Sequence, residues 1–175
     1  VAILPIVEYP AEVLAKTAAP VVTFDDTLRQ LAHDMAETMY AAPGVGLAAP
    51  QVGQSIRMVV IDVSEDKNGL ITLVNPTVEA IDDEFVVGEE GCLSLPEMKE
   101  KVKRSAKVHV KAFDLEGRPF EFDAKDLLSV CVQHEVDHLN GLVYIDHVSP
   151  LKKSRIIAKL AKQRREKSRE KKKTL

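Results

Sequence analysis

The stretch His134-Glu135-Val136-Asp137-His138 constrains this chain more than any other five residues. Side chains four apart lie on one face of an α-helix, so His134 and His138 can converge on a single metal ion. Glu135 stands one residue round, near enough to reach a water on that ion and act as a general base. A random ordering of these 175 residues would give the pattern with a probability of about 0.01. The context strengthens it. A helical run over about 125–140, with Asp123 or Asp126 as its cap, holds the motif, and Asn140-Gly141 supplies a left-handed stop.

A site of this kind needs a third protein ligand and an open position for water. Two cysteines compete for it. Cys131 and His138 are seven residues apart, hence about 10 Å along a helix axis, too far to share an ion easily with His134 between them. Cys131 therefore reads as a small apolar residue on the buried face. Cys92, in 88–96 (GEEGCLSLP), comes from a remote segment whose glycines allow close backbone approach, and spacing makes it the better candidate. Its bland alternative is a buried thiol at a strand edge.

A third segment, 43–51 (PGVGLAAPQ), has alternate glycines but neither the lysine and Ser/Thr of a phosphate loop nor a third glycine for a dinucleotide fold. It reads either as a helix stop with a tight connection or as a loop presenting backbone groups and the Gln51 amide to a substrate.

Elsewhere, Leu28, Leu31, Met35 and Met39 recur at helical spacing behind Asp25-Asp26, predicting a helix over 26–41 stopped by Pro43-Gly44. β-branched runs predict strands over 56–63, 70–74 and 77–81, and alternation predicts another over 106–113. A turn at 114–117 leads to 119–122 and completes a hairpin. A short strand is expected over 142–148, and Pro150 opens a terminal helix. Strands gathered around one central helix, without regular alternation, indicate an α+β fold of antiparallel or mixed strands, with an N-terminal helix and a basic C-terminal one.

The length suits one catalytic domain over 1–150, followed by a tail over 151–175. Residues 152–175 carry 12 Lys/Arg against 2 Glu, a net of +10, so the overall charge of −3 leaves −13 on the first 151. No apolar run approaches a membrane span, no secretory leader is expected from the first residues, and two cysteines make no disulfide framework. Cytoplasm is the expected compartment.

Taken together, 44–51 (GVGLAAPQ), 90–94 (EGCLS) and 133–139 (QHEVDHL) stand in the order and form of the three peptide deformylase motifs, and the chain resembles that family over nearly its whole length. It is most similar to the longer bacterial members that close with a basic helix. The resemblance implies that Cys92, His134 and His138 hold one divalent metal per chain. Fe²⁺ is its implied native ion, with Zn²⁺, Ni²⁺ or Co²⁺ able to occupy the site. It implies hydrolysis of the formyl group from N-formylmethionyl peptides, with Glu135 as base and with Gln51 and the Leu93 N–H stabilising the developing oxyanion. It further implies a methionine pocket from Val45, Leu127, Val130 and Cys131, and peptide contacts from Val45, Gly46 and Gly91. A Glu90–Arg104 pair would brace the ligand loop, and Asp137 is either a helix anchor or an exposed charge. Lys99 and Gly88 depart from residues that some relatives carry there. His33, His109 and His147 have no motif around them and read as surface or structural residues.

The basic tail reads either as a solvated helix or as an RNA contact. Ribosome attachment is what the resemblance implies, and a monomer is expected. Two rivals remain: a metallopeptidase cleaving internal amides, and an RNA-binding protein with a structural metal. Structural sites are closed by four protein ligands, and no fourth ligand is evident.

Overall fold

A computed structural model describes residues 2–173. The first helix, α1 (Asp26–Ala41), starts where Asp25 accepts from the Leu28 N–H at 3.0 Å, the side-chain cap its sequence predicts. The strands follow as β1 (Gly46–Ala48), β2 (Met58–Ile61), β3 (Ile71–Ala80), β4 (Phe85–Cys92), β5 (Leu95–Ser105), β6 (Lys107–Phe113) and β7 (Pro119–Lys125). The motif helix is α2 (Asp126–Leu139), and α3 (Pro150–Lys173) ends the described chain. Residues 174–175 of the expected tail lie outside the described residues.

Five strands form one antiparallel sheet in the order β1-β2-β3-β6-β7, while β4 and β5 form a separate two-stranded ribbon. The architecture is α+β, as expected. β2 (MVVI) is buried on both faces, which explains its uninterrupted apolar run. Val59 and Ile61 face Val132, Val136 and Leu139 of α2. Met58 and Val60 face Leu28, Ala32, Met35 and Met39 of α1. The sheet is thus a slab with α1 on one side and α2 on the other. A third cluster joins Leu95 and Val102 of β5 to Tyr144, Ile145, and Ile156 and Leu160 of α3.

Four expectations need correction. The two strands over 70–74 and 77–81 are one strand, β3, with a bulge between Val74 and Thr77. Asn75 there adopts φ +51 and its amide pairs with the backbone of Val21, so turn chemistry marks a kink and not an end. Neither Asp123 nor Asp126 caps α2: its N-cap is Lys125, which has no acceptor, while Asp123 bonds His109 at 2.6 Å. The expected strand over 142–148 is a 3₁₀ turn, Tyr144–His147, because the Asp146 carboxylate folds back onto the Val143 N–H at 2.9 Å. Finally, β1, β4 and β5 were not expected as strands. In β5 the more buried face carries Glu100 and Arg104 beside Met98 and Val102, and these charged residues mask its alternation.

Candidate active site

The histidine face of α2 turns towards the end of the ribbon. Gly91 pairs with Lys99, but the next residue, Cys92, pairs with Leu95, so the register breaks and β5 bulges over Pro96–Met98. Bulges re-aim side chains. Here the irregularity brings the Cys92 Sγ to 3.4 Å from His138 Nε2. The Cys92 sulfur and one ring nitrogen from each of His134 and His138 all lie within 4.8 Å of one another. One thiol and two imidazoles converging so closely suit a divalent transition metal.

The ring of His134 is fixed from behind. Its Nδ1 lies 2.9 Å from Glu90 Oε1, which leaves Nε2 for the site. Glu90 is also gripped by Arg104, at 2.9 Å from both Nε and Nη2, so the expected Glu90–Arg104 pair is present and buried. Burial alone would raise the Glu90 carboxyl, but Arg104 and His134 outweigh it and hold it down at about 2. Asp137 is no free surface charge: its Oδ2 accepts from Arg104 Nη1 at 2.6 Å. Tyr144 stacks on the other side of His134, with ring centroids 6.1 Å apart.

Glu135 is the group that stands out. It is buried, its Oε1 has no hydrogen-bond partner among the described residues, and burial pushes its carboxyl up to about 7 despite the nearby His134 and Arg104. A carboxylate so placed is poised to take and return a proton near neutral pH. It fits only because residue 46 is glycine: a Cβ there would overlap the Glu135 carboxylate, with Cδ 2.9 Å away. Gln51, on the 3₁₀ turn Ala49–Val52, is buried too. Its Oε1 accepts from the Ala48 N–H at 2.9 Å, which aims the NH₂ at Ser94 Oγ (3.1 Å) and Cys92 Sγ (3.4 Å).

These residues open onto a cavity of about 660 Å³. Val45, Gly46, Gln51, Gly91, Leu93 and Cys92 line it from one side, and Leu127, Val130, Cys131, His134 and Glu135 from the other. Val45 and Leu127 are half exposed at its mouth. Cys131 is buried in its wall, and burial pushes its thiol up to about 12, which keeps it a neutral apolar group.

The polypeptide deformylase family model matches residues 3–154. The chain belongs to the polypeptide deformylase family. It is 52% identical over 162 residues to the peptide deformylase of Cellvibrio japonicus, covering 93% of this chain and 96% of that one. Among solved structures it is similar to a peptide deformylase from Legionella pneumophila, at 48% identity and a TM-score of 0.90, covering 96% of this chain and 99% of that one. It is also similar to the Synechococcus elongatus peptide deformylase, solved in complex with actinonin, at 40% identity and a TM-score of 0.85, covering 89% and 86%.

Residues from all three motifs therefore line this cavity, His138 is fully buried beside Cys92, and Asp137 instead pairs with Arg104. Two participants escaped the sequence reading. Ser94 stands inside the EGCLS segment, and only the fold shows that its hydroxyl meets the Gln51 amide. Tyr144 carries no motif, and its stacking on His134 follows from a turn that was expected to be a strand.

Proposed function

We propose that this chain hydrolyses the formyl group of N-formylmethionyl nascent peptides, releasing formate, with Cys92, His134 and His138 as the ligands of one divalent metal. The observation that carries the reading is the convergence of those three donors beside a buried Glu135 whose Oε1 has no hydrogen-bond partner among the described residues. The donor set accepts Fe²⁺, Zn²⁺, Ni²⁺ or Co²⁺, and we take Fe²⁺ as the native ion by family resemblance. Such an ion would make water acidic enough to ionise near neutral pH and would polarise the formyl carbonyl.

The protein's own groups then divide the work. Glu135 takes the proton from the attacking water and returns it to the departing amine nitrogen. The Gln51 NH₂ and the Leu93 N–H donate to the formyl oxygen as it gains charge; Ala48 has already fixed the Gln51 amide, so little reorientation is needed. The methionine side chain enters among Val45, Leu127, Val130 and the neutral Cys131. Backbone groups of Val45, Gly46 and Gly91 receive the peptide as an added strand. Arg104, through Glu90, keeps His134 in the tautomer that offers Nε2 to the metal.

Residues 1–150 act as the catalytic unit, and the basic segment 151–175 attaches the enzyme to ribosomal RNA, where its substrates emerge. The net charge of +10 over 152–175 supports that contact. All the proposed site residues come from one chain, so a monomer suffices, working in the cytoplasm where nascent chains are made. Among the described residues no helix is long and apolar enough to cross a membrane.

The test is formate release from formyl-Met-Ala-Ser by anaerobically purified protein. Release that stops on chelation and returns with Fe²⁺ or Ni²⁺ is expected. Cleavage of an internal amide without formate would replace this reading with a metallopeptidase. If deleting 163–175 leaves ribosome affinity and its salt dependence unchanged, the ribosome contact fails.

A further inference from the structure

His147 sits at the end of the 3₁₀ turn Tyr144–His147, and its Nε2 lies 2.8 Å from Asp137 Oδ2. That same oxygen accepts from Arg104 Nη1 at 2.6 Å. Arg104 continues through Nε and Nη2 to Glu90, and Glu90 Oε1 meets His134 Nδ1 at 2.9 Å. Three side chains, Asp137, Arg104 and Glu90, thus connect a partly exposed imidazole to a residue of the proposed metal site, with no gap longer than a hydrogen bond. Each link has its donor and acceptor defined. Asp137 can only accept, so His147 Nε2 carries the proton, and the guanidinium only donates.

The turn type makes the arrangement possible. In a 3₁₀ helix, residues three apart eclipse, so Tyr144 and His147 project to the same side. Tyr144 stacks on the His134 ring while His147 reaches Asp137, three residues further along α2. On the strand expected from the sequence, residues 144 and 147 would point to opposite faces and only one could reach α2. A single short turn therefore holds the His134 ring twice, directly through Tyr144 and at a distance through His147.

We propose that His147 is a positioning residue for the metal centre: by donating to Asp137 it fixes the guanidinium of Arg104, and through Glu90 the imidazole of His134. The inference rests on the reading of Cys92, His134 and His138 as metal ligands. The guanidinium is a rigid planar fork, so its two carboxylate partners are not independent. Without His147, Asp137 has one donor fewer to hold its orientation, and Arg104 loses a fixed point opposite Glu90. His147 touches neither substrate nor metal, so its effect is on how firmly the ion is held.

The experiment measures Ni²⁺ release from the loaded full-length protein into excess chelator, for wild type and for His147→Ala, His147→Gln and His147→Asn. Groups that bond a ligand directly are worth about 10–100-fold in metal affinity. His147, further back, should alter release by about 3- to 10-fold in His147→Ala. Gln places a nitrogen where Nε2 stands and should restore the wild-type rate, whereas Asn is too short and should release like Ala. Thermal unfolding of the metal-free proteins separates a structural role. Unchanged release in His147→Ala, whether or not the metal-free protein is destabilised, overturns the proposal. If His147→Ala does not fold, equal release from the Gln and Asn variants overturns it instead. Wild-type protein that never retains one equivalent of Ni²⁺ overturns this inference and the ligand assignment together. Retention in the wild type with no effect of His147 overturns this inference alone.

Discussion

The two faces of the five-stranded sheet are covered by helices of similar length and opposite chemistry. On one side α1 buries Leu28, Ala32, Met35, Ala36 and Met39, with Thr38 the polar member of that set, bonded back to the Asp34 carbonyl at 2.6 Å. On the other side α2 buries Val132, Val136 and Leu139 but also Ser129, His134, Glu135 and His138. Burial of polar groups is costly unless each finds a partner, so α2 has to be accompanied by a network. Ser129 Oγ reaches the Ser105 carbonyl, and His134 reaches Glu90. The exceptions, Glu135 Oε1 and His138 Nδ1, are polar atoms without hydrogen-bond partners among the described residues, on the helix that carries the proposed chemistry. One helix therefore holds the sheet by apolar contact, and the other uses the same sheet as a rigid back for reactive groups.

The contrast is broken most sharply by removing a proposed metal ligand from the reactive side. Cys92→Ala should lower metal affinity by about 10³-fold or more while the fold survives, since a site with two of its three protein ligands lacks the coordination a catalytic centre needs. Equilibrium dialysis with unfolding curves on the same sample checks both halves. On the apolar side the order reverses. Met35→Ala should cost about 3 kcal/mol of stability, from lost burial plus the cavity left behind. Formate release per folded, metal-loaded molecule should not change, and chemical denaturation paired with active-site titration shows whether it does.

Gly46→Ala probes the seam between the two, because β1 pairs with β2 in the sheet and also abuts Glu135. The added methyl must displace the carboxylate, and we expect about 10²-fold lower kcat, in line with loss of a positioned general base, with metal content unchanged. Acid sharpens the comparison further. The Glu90 carboxyl is held at about 2, below its ordinary 4.5, so its ion pairs favour the folded state fully above pH 4.5. That contribution is lost as pH falls from 4.5 towards 2. Urea midpoints of the metal-free protein should fall over that window more steeply in wild type than in Glu90→Gln. The smallest effect is expected at Cys131. Its thiol is neutral and buried, so Cys131→Ala should keep the metal and raise KM for formyl-Met substrates by about 10-fold, the lower end for one small apolar contact.

The sequence makes the α1 side almost fully legible, because a cap, a period and a stop all agree between Asp25 and Gly44. It also shows His134, Glu135 and His138 as a set, since one helical turn fixes their relation whatever surrounds it. Cys92 is harder. Spacing can only make it the better of two thiols, and its approach to His138 depends on a register break in a ribbon whose strands are hidden by charge and glycine. The turn at Tyr144–His147 is harder still. Its apolar residues suit a strand, and the fold-back of Asp146 that makes it a turn is a tertiary outcome of a local hydrogen bond with no periodic signature. Of the groups that brace the site, Arg104 is marked in sequence only by the family resemblance, while Asp137 and His147 are ordinary polar residues there and gain their meaning from the partners the fold supplies.

The central claim is that holding the metal and moving the proton belong to different residues: Cys92 of the ribbon with His134 and His138 of α2 for the first, and Glu135 of the same helix for the second. Glu135→Ala tests it most directly, by measuring metal content and formate release from formyl-Met-Ala-Ser on one anaerobic preparation. The account predicts one equivalent of metal per chain, as in the wild type, with formate release reduced by about 10³-fold or more. Wild-type turnover in a variant that retains its metal would remove Glu135 from the mechanism, and loss of the metal would make it part of the binding site instead.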